Sequence, residues 1–212
     1  EIMTFDYLIE RNNRTIAFLK AQDFASAIES SSFALKYHKV QVAASPQTPN
    51  HCNSGNNDCL DQCMLLSEIK ECSDDNHHTF IYGQGICIPP SVTDPFVVTP
   101  ILIFNTALAH HLAAEAGHFT SPEAALQKAR RLYDFAYRSP NMVRNVLFQF
   151  VLVNNAAMID RKMGNMALST ESLEYLMTVL MILVDRGCNL HLRHVQGFLV
   201  NIPSAWESAP AA

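Results

Sequence analysis

The chain has 212 residues, of which 49% are apolar and 17% charged, with a formal net charge of -5. That length is enough for one large domain or two small ones with a real core, and the apolar content excludes general disorder. The acidic balance excludes a generic nucleic-acid binder, which needs a basic face, and the single Trp, Trp206, offers no stacking platform.

Residues 5–37 read as a helical hairpin. Phe5, Leu8, Ile9, Ile16, Ala17 and Leu19 recur at spacings of three and four. Gln22-Asp23 breaks the pattern, and a second helix runs from about Phe24 to Tyr37. Its small residues Ala27, Ser31 and Ala34 let another helix come close. An insertion follows over 45–99. Its first part is rich in Pro, Asn and Ser and has no apolar period, so it reads as an exposed loop, with one or two helical turns over 60–69. The segment from Phe80 to Ile88 alternates partly between Gly and Pro-Pro, and predicts a strand-like return to the core.

Thr99-Pro100 predicts a helix start, with Thr as cap and Pro at the first position, where no bonded N–H is lost. That helix covers 101–115 and ends near Gly117; Ser121-Pro122-Glu123 starts the next, to about Arg138. Ser139-Pro140 starts a third over about 140–163, stopped by Gly164. Ser169 caps a fourth, ending at Gly187, and a short amphipathic segment runs from Leu190 to Ile202. The longest apolar runs, Asn145–Val153 and Leu173–Val184, fall short of the roughly 20 residues a membrane-spanning helix needs. The chain begins at Glu1 rather than Met, which leaves a targeting peptide open; the expected compartment is intracellular, with the cytoplasm first and an organelle second.

The helix pairs share a frame. Each first helix carries an Asn with a small residue two places on: Asn13 and Thr15, Asn105 and Ala107, Asn155 and Ala157. The second helices of the first two pairs carry Ala residues seven apart, Ala27 and Ala34, Ala129 and Ala136. This resembles the tetratricopeptide repeat, in which small residues mark the helix crossings. The segments NNRTIAFLKAQDFASAI, FIYGQGICIPP, IFNTALAHHL with ARRLYDFAY, NNAAMIDRKMGNM and QGFLVNI with APAA also resemble tetratricopeptide-like proteins of unassigned function from diatoms and related algae. The resemblance implies an all-α, right-handed superhelix of about three helix-turn-helix repeats. The expected division is a single domain over 1–212: repeat 1 at 5–37, the insertion at 45–99, repeat 2 at 100–138, repeat 3 at 140–186 and a C-terminal cap at 190–212. The signature Trp is absent, and the third pair lacks the Ala pair.

Such repeats bind a protein or peptide in the groove of their first helices. By frame, the groove is expected to hold Asn12, Asn13, Ile16, Lys20, Phe104, Asn105, Leu108, His111, Asn154, Asn155, Met158, Arg161 and Lys162. The leading expectation is therefore a non-enzymatic interaction module or scaffold without a cofactor, binding a peptide or protein partner; a subunit of a larger assembly is the second. Cys52, Cys59, Cys63, Cys72, His77 and His78 lie close together, but the spacing C-x6-C-x3-C-x8-C lacks the paired knuckle of a zinc site. Metal, disulfide and free thiols all stay open there, and a metal- or redox-responsive protein is the third reading. Adjacent His110 and His111 point about 100° apart on a helix and do not face one ligand. Gly83-Gln84-Gly85 lacks the rest of a phosphate cradle, and no G-x-S-x-G, H-E-x-x-H or P-loop motif is present.

Overall fold

The computed structural model describes residues 5–44, 71–73, 80–92, 94–139, 145–186 and 197–202. The protein is all-α. Its described helices are α1 (Phe5–Lys20), α2 (Phe24–Ala44), α3 (Pro95–Glu115), α4 (Pro122–Tyr137), α5 (Val146–Lys162) and α6 (Met166–Asp185), with a helical segment at 197–202. Two short antiparallel strands, β1 (Glu71–Ser73) and β2 (Phe80–Tyr82), pair Glu71 with Tyr82 and Ser73 with Phe80. The described residues fall into two compact units. The first comprises α1 to α4 with residues 84–92; the second comprises β1, β2, α5 from Leu147 on, α6 and the segment 197–202.

In the first unit, α1 packs on α2, α2 on α3 and α3 on α4. The break between α1 and α2 has a local cause. Gln22 takes a left-handed φ of 59°, and the Asp23 carboxylate accepts the Ser26 N–H at 3.1 Å, capping α2. Ser26 also holds the Asp23 carboxyl below its usual pKa. The small residues of the repeated frame lie at the centre: Thr15, Ala27, Ala34, Ala107, Ala129 and Ala136 are all buried. Around them pack Leu8, Ile16, Ile101, Leu108 and Tyr133. In the second unit, Phe148, Phe150, Ile159, Leu173 and Leu176 form the core, and the Phe150 ring meets Phe198 edge-on at 5.5 Å. Every residue from Asn154 to Asp160 is buried, so α5 is enclosed on all sides and shows no amphipathic stripe.

Several boundaries correct the sequence expectation. The third helix starts at Pro95, not after Thr99, because the Asp94 carboxylate accepts the Phe96 N–H at 2.9 Å and caps it. Pro100 therefore sits inside α3, where it removes one donor; the residue whose carbonyl it would have bonded, Phe96, is exposed to water. The last residues of the expected insertion are accordingly helix. α2 continues to Ala44 rather than ending at Tyr37. Ser169 is not a cap: α6 begins at Met166 after Asn165, and Ser169 is buried within it. Gly117 and Gly164 end their helices with φ of 73° and 80°, conformations that favour glycine. Residues 140–144 and Gly187 lie outside the described residues, as does the expected turn at 60–69.

The apolar runs are also longer than the sequence reading allowed. Phe96–Glu115 and Met166–Asp185 are each long and apolar enough to cross a membrane by length and composition. The first is mostly buried, as a core helix is; the second is mostly not.

Candidate functional site

Asparagine is a poor choice for the middle of a helix, and a buried amide needs partners for its donors and acceptor. Asn12, Asn105, Asn154, Asn155 and Asn201 are all buried to within 1% exposure, and every one bonds to the backbone of Phe80, Tyr82 or Ile86; of the expected strand-like run to Ile88, only Phe80–Tyr82 is strand.

In the first unit the target is Ile86. Its N–H donates to Asn105 Oδ1 at 2.8 Å, and Asn105 Nδ2 donates back to the Ile86 carbonyl at 2.9 Å. The second Asn105 N–H goes to Asn12 Oδ1 at 2.7 Å, and Asn12 Nδ2 donates to the same Ile86 carbonyl at 3.0 Å. Two residues further on, Asn13 makes the same two-way pair with Ile88, at 3.3 and 3.4 Å, from an exposed position.

The second unit repeats the device. Phe80 N–H donates to Asn201 Oδ1 at 2.7 Å, and Asn201 Nδ2 donates to the Phe80 carbonyl at 2.8 Å and to Asn154 Oδ1 at 2.7 Å. Asn154 supports the same carbonyl at 3.1 Å. Asn155 pairs both ways with Tyr82, at 2.8 and 3.1 Å. Each side-chain amide thus stands in for the peptide group of a neighbouring strand. In an extended chain, residues i and i+2 share one side, which is why the targets are 80 and 82 in one unit and 86 and 88 in the other.

Two glycines let backbone and side chain approach this closely. A Cβ on Gly85 would stand 2.8 Å from Ile16 Cγ1 and 3.2 Å from Asn105 Oδ1. A Cβ on Gly197 would lie 2.1 to 2.4 Å from the Phe80 ring. Phe80, Tyr82, Ile86 and Ile88 are buried, whereas Ile81 and Cys87 between them are only partly so. Burial raises the pKa of the Tyr82 hydroxyl.

No protein-family model, curated protein or solved structure matches the chain.

The residues expected to line a groove are distributed as follows. Asn12, Asn13, Asn105 and Ile16 come together around residues 85–88. Phe104 and Leu108 are fully buried, and the Phe104 ring packs 5.9 Å from Tyr133. His111 is buried, with Nδ1 3.4 Å from the Tyr133 hydroxyl and Nε2 3.8 Å from Glu115. In the second unit Asn154 and Asn155 hold residues 80–82, and Met158 is buried. Arg161 is half-buried and donates to the Asn201 carbonyl at 3.3 Å, and burial lowers its pKa. Lys20 and Lys162 are exposed.

The sequence frame missed Asn201, Gly85 and Gly197. One signal bore on Asn201, which follows an apolar residue as Asn105 does; none bore on the two glycines, whose role is set by the close approach of Ile16 and Phe80.

The remaining candidates form no comparable constellation. Cys52, Cys59, Cys63, His77 and His78 lie outside the described residues, and Cys72 falls in β1 opposite Ile81. Among the described residues no group of three or more His, Cys, Asp or Glu is placed to hold a metal ion. His110 is buried, stacks on Phe119 at 6.0 Å, and has no hydrogen-bond partner among the described residues for either ring nitrogen. Burial first, then the Lys128 charge, lowers its pKa to about 4. His38 pairs with the Thr99 hydroxyl, and burial lowers its pKa too.

Proposed function

We propose that the chain is a non-enzymatic protein-interaction module, a right-handed superhelix of about three tetratricopeptide-like repeats that holds an extended peptide or partner segment along its first helices. One observation supports this most directly: α1, α3 and α5 all carry asparagines bonded to the N–H and C=O of extended backbone. An amide that reads backbone in both directions is binding chemistry, with affinity from the main chain and specificity from alternate side chains. Exposed Lys20 and Lys162 end α1 and α5 and suit an acidic or carboxylate-bearing partner. Affinity purification with the intact protein as bait should recover a partner, and Lys20→Glu and Lys162→Glu should weaken its capture. Undiminished capture by both variants would refute the assignment to this face.

A second reading, a fixed subunit of a larger assembly, has its own support. α6 exposes Leu168, Tyr175, Met181, Ile182 and Val184, an apolar surface of the kind that neighbours cover. Light scattering on the purified protein distinguishes the two, since a clean monomer disfavours obligate assembly.

A further inference from the structure

Resting on the reading of the chain as a peptide-binding module, we propose that segment 84–88 is a resident ligand supplied in cis, and that the site formed by Asn12, Asn13 and Asn105 of the same unit accepts in its place an extended peptide supplied in trans. The ligand class follows from what the site touches. It is a peptide with free N–H groups at two alternate positions, a bulky aliphatic residue at each, and glycine immediately before the first.

Three features carry the argument. The first is the mode of recognition. Asn105 and Asn13 each bond one residue through both its N–H and its C=O, and Asn12 adds a second donor to the Ile86 carbonyl. These bonds ignore side-chain identity, so any extended chain with the right register satisfies them. The second is selectivity. Ile86 and Ile88 are buried while Cys87 between them is partly exposed, and only glycine fits at 85, because a Cβ there would stand 2.8 Å from Ile16 Cγ1. The third is how the segment is attached. It belongs to none of the helices that grip it; residues 89–94 link it to α3. A strand tied by so short a link acts at an effective concentration on the order of millimolar. The resident strand therefore holds the site by proximity, and a free peptide of equal intrinsic affinity competes poorly until that strand is weakened.

Occupancy itself is enforced. With the strand gone and nothing in its place, the amides of Asn12 and Asn105, both within 1% of full burial, lose their backbone partners, and each buried unsatisfied group is costly. Exchange therefore runs by displacement of one strand by another, not through an empty groove.

Gly85→Val loosens the resident strand without altering Asn12, Asn13 or Asn105. The probe is a fluorescein-labelled peptide with the sequence of residues 84–88 and Cys87 replaced by Ser, titrated with full-length protein and read by anisotropy. Gly85→Val, checked for native helicity by circular dichroism, should bind the peptide at least tenfold more tightly than wild type. N-methylation at the nitrogen corresponding to Ile86, whose N–H is the donor to Asn105, should abolish binding. If Gly85→Val does not fold, Gly85→Ala carries the same contact in milder form and takes its place. The proposal is overturned if a folded variant binds no better than wild type, or if methylation at the Ile86 nitrogen leaves binding unchanged. It is also overturned if the variant pairs with a second copy by light scattering instead of taking up peptide. Peptide uptake without any captured cellular partner would remove the module reading alone; a captured partner without peptide uptake would remove only this inference.

Discussion

Replacing Asn105 with Leu keeps the side-chain volume roughly constant and deletes one amide. Three bonds go: the pair with Ile86 at 2.8 and 2.9 Å and the donation to Asn12 at 2.7 Å. The Ile86 carbonyl keeps Asn12 as a donor at 3.0 Å. The Ile86 N–H and Asn12 Oδ1 are left without these partners in a buried setting, at about 1–3 kcal/mol each. The added apolar surface of Leu recovers part of that, so a net loss of about 2–4 kcal/mol is expected. Such a loss is a large fraction of a typical domain stability of about 5–15 kcal/mol. Urea unfolding followed by far-UV circular dichroism should show the transition of the first unit moved down by about 1–2 M, for a slope of about 2 kcal/mol per M. Asn13→Leu is the matched control: its bonds are longer, 3.3 and 3.4 Å, and its side chain is exposed, so its cost should stay below about 1 kcal/mol. The Asn12→Leu/Asn105→Leu double variant should cost less than the two single variants together, because each single change orphans the other's amide. Equal costs for Asn105→Leu and Asn13→Leu, or strict additivity in the double variant, would refute the network.

Three further outcomes are expected. Gly197→Ala drives a methyl to within 2.1 Å of the Phe80 ring and should destabilise by at least about 1–3 kcal/mol, with Phe80→Leu in the same chain restoring part of the loss in a thermal melt; a neutral Gly197→Ala would contradict the close approach. His110 has a folded pKa of about 4 against an ordinary 6.5, so the unfolded chain binds a proton that the folded one refuses. Its contribution is intact above pH 6.5, erodes as pH falls towards 4 and is then fully lost, by roughly 1–3 kcal/mol once discounted for partial screening. His110→Phe should flatten the difference in urea midpoint between pH 7.5 and pH 4.5, and an unchanged slope would show that other groups carry it. Asp94→Ala removes the cap on Phe96 N–H and should cost about 0.5–2 kcal/mol in a thermal melt; no loss there would return the helix start to Thr99.

The helices were legible because they bury one kind of surface with a regular period. Leu8, Ile16, Ala27, Ala34, Ala129 and Ala136 all sit where spacing and size put them. The start of α3 was misread because Thr99-Pro100 and Asp94-Pro95 carry the same local chemistry; only the Asp94 bond to Phe96 N–H decides between them. Ser169 failed as a cap for a similar reason: Asn165 stands four residues earlier, and Ser169 is wanted in the interior. The asparagines were legible as a frame, yet their partner was not. A backbone target leaves no side-chain signature, so nothing in residues 80–88 announces that amides elsewhere will bond to it. Asn201 was missed because it sits in the amphipathic segment 190–202, which was read as a cap and so fell outside the frame of helix pairs that singled out the other asparagines.

The two kinds of contact on residues 80–88 do different work. Burying Phe80, Tyr82, Ile86 and Ile88 is worth about 1.5–3 kcal/mol per side chain, more than the net gain of about 0.5–1.5 kcal/mol from each hydrogen bond. Apolar burial therefore supplies most of the adhesion. A slip of one residue turns the buried side chains to the opposite side, so burial already disfavours it. The amides add to this within each unit, because the slip presents Asn105 in the first and Asn155 in the second with backbone groups that face away from them. The penalty then falls on asparagines that are buried to within 1% and have no water to turn to. The buried asparagines of each unit thus help to choose one register out of several, and they do so without specifying a single side chain of the backbone they hold.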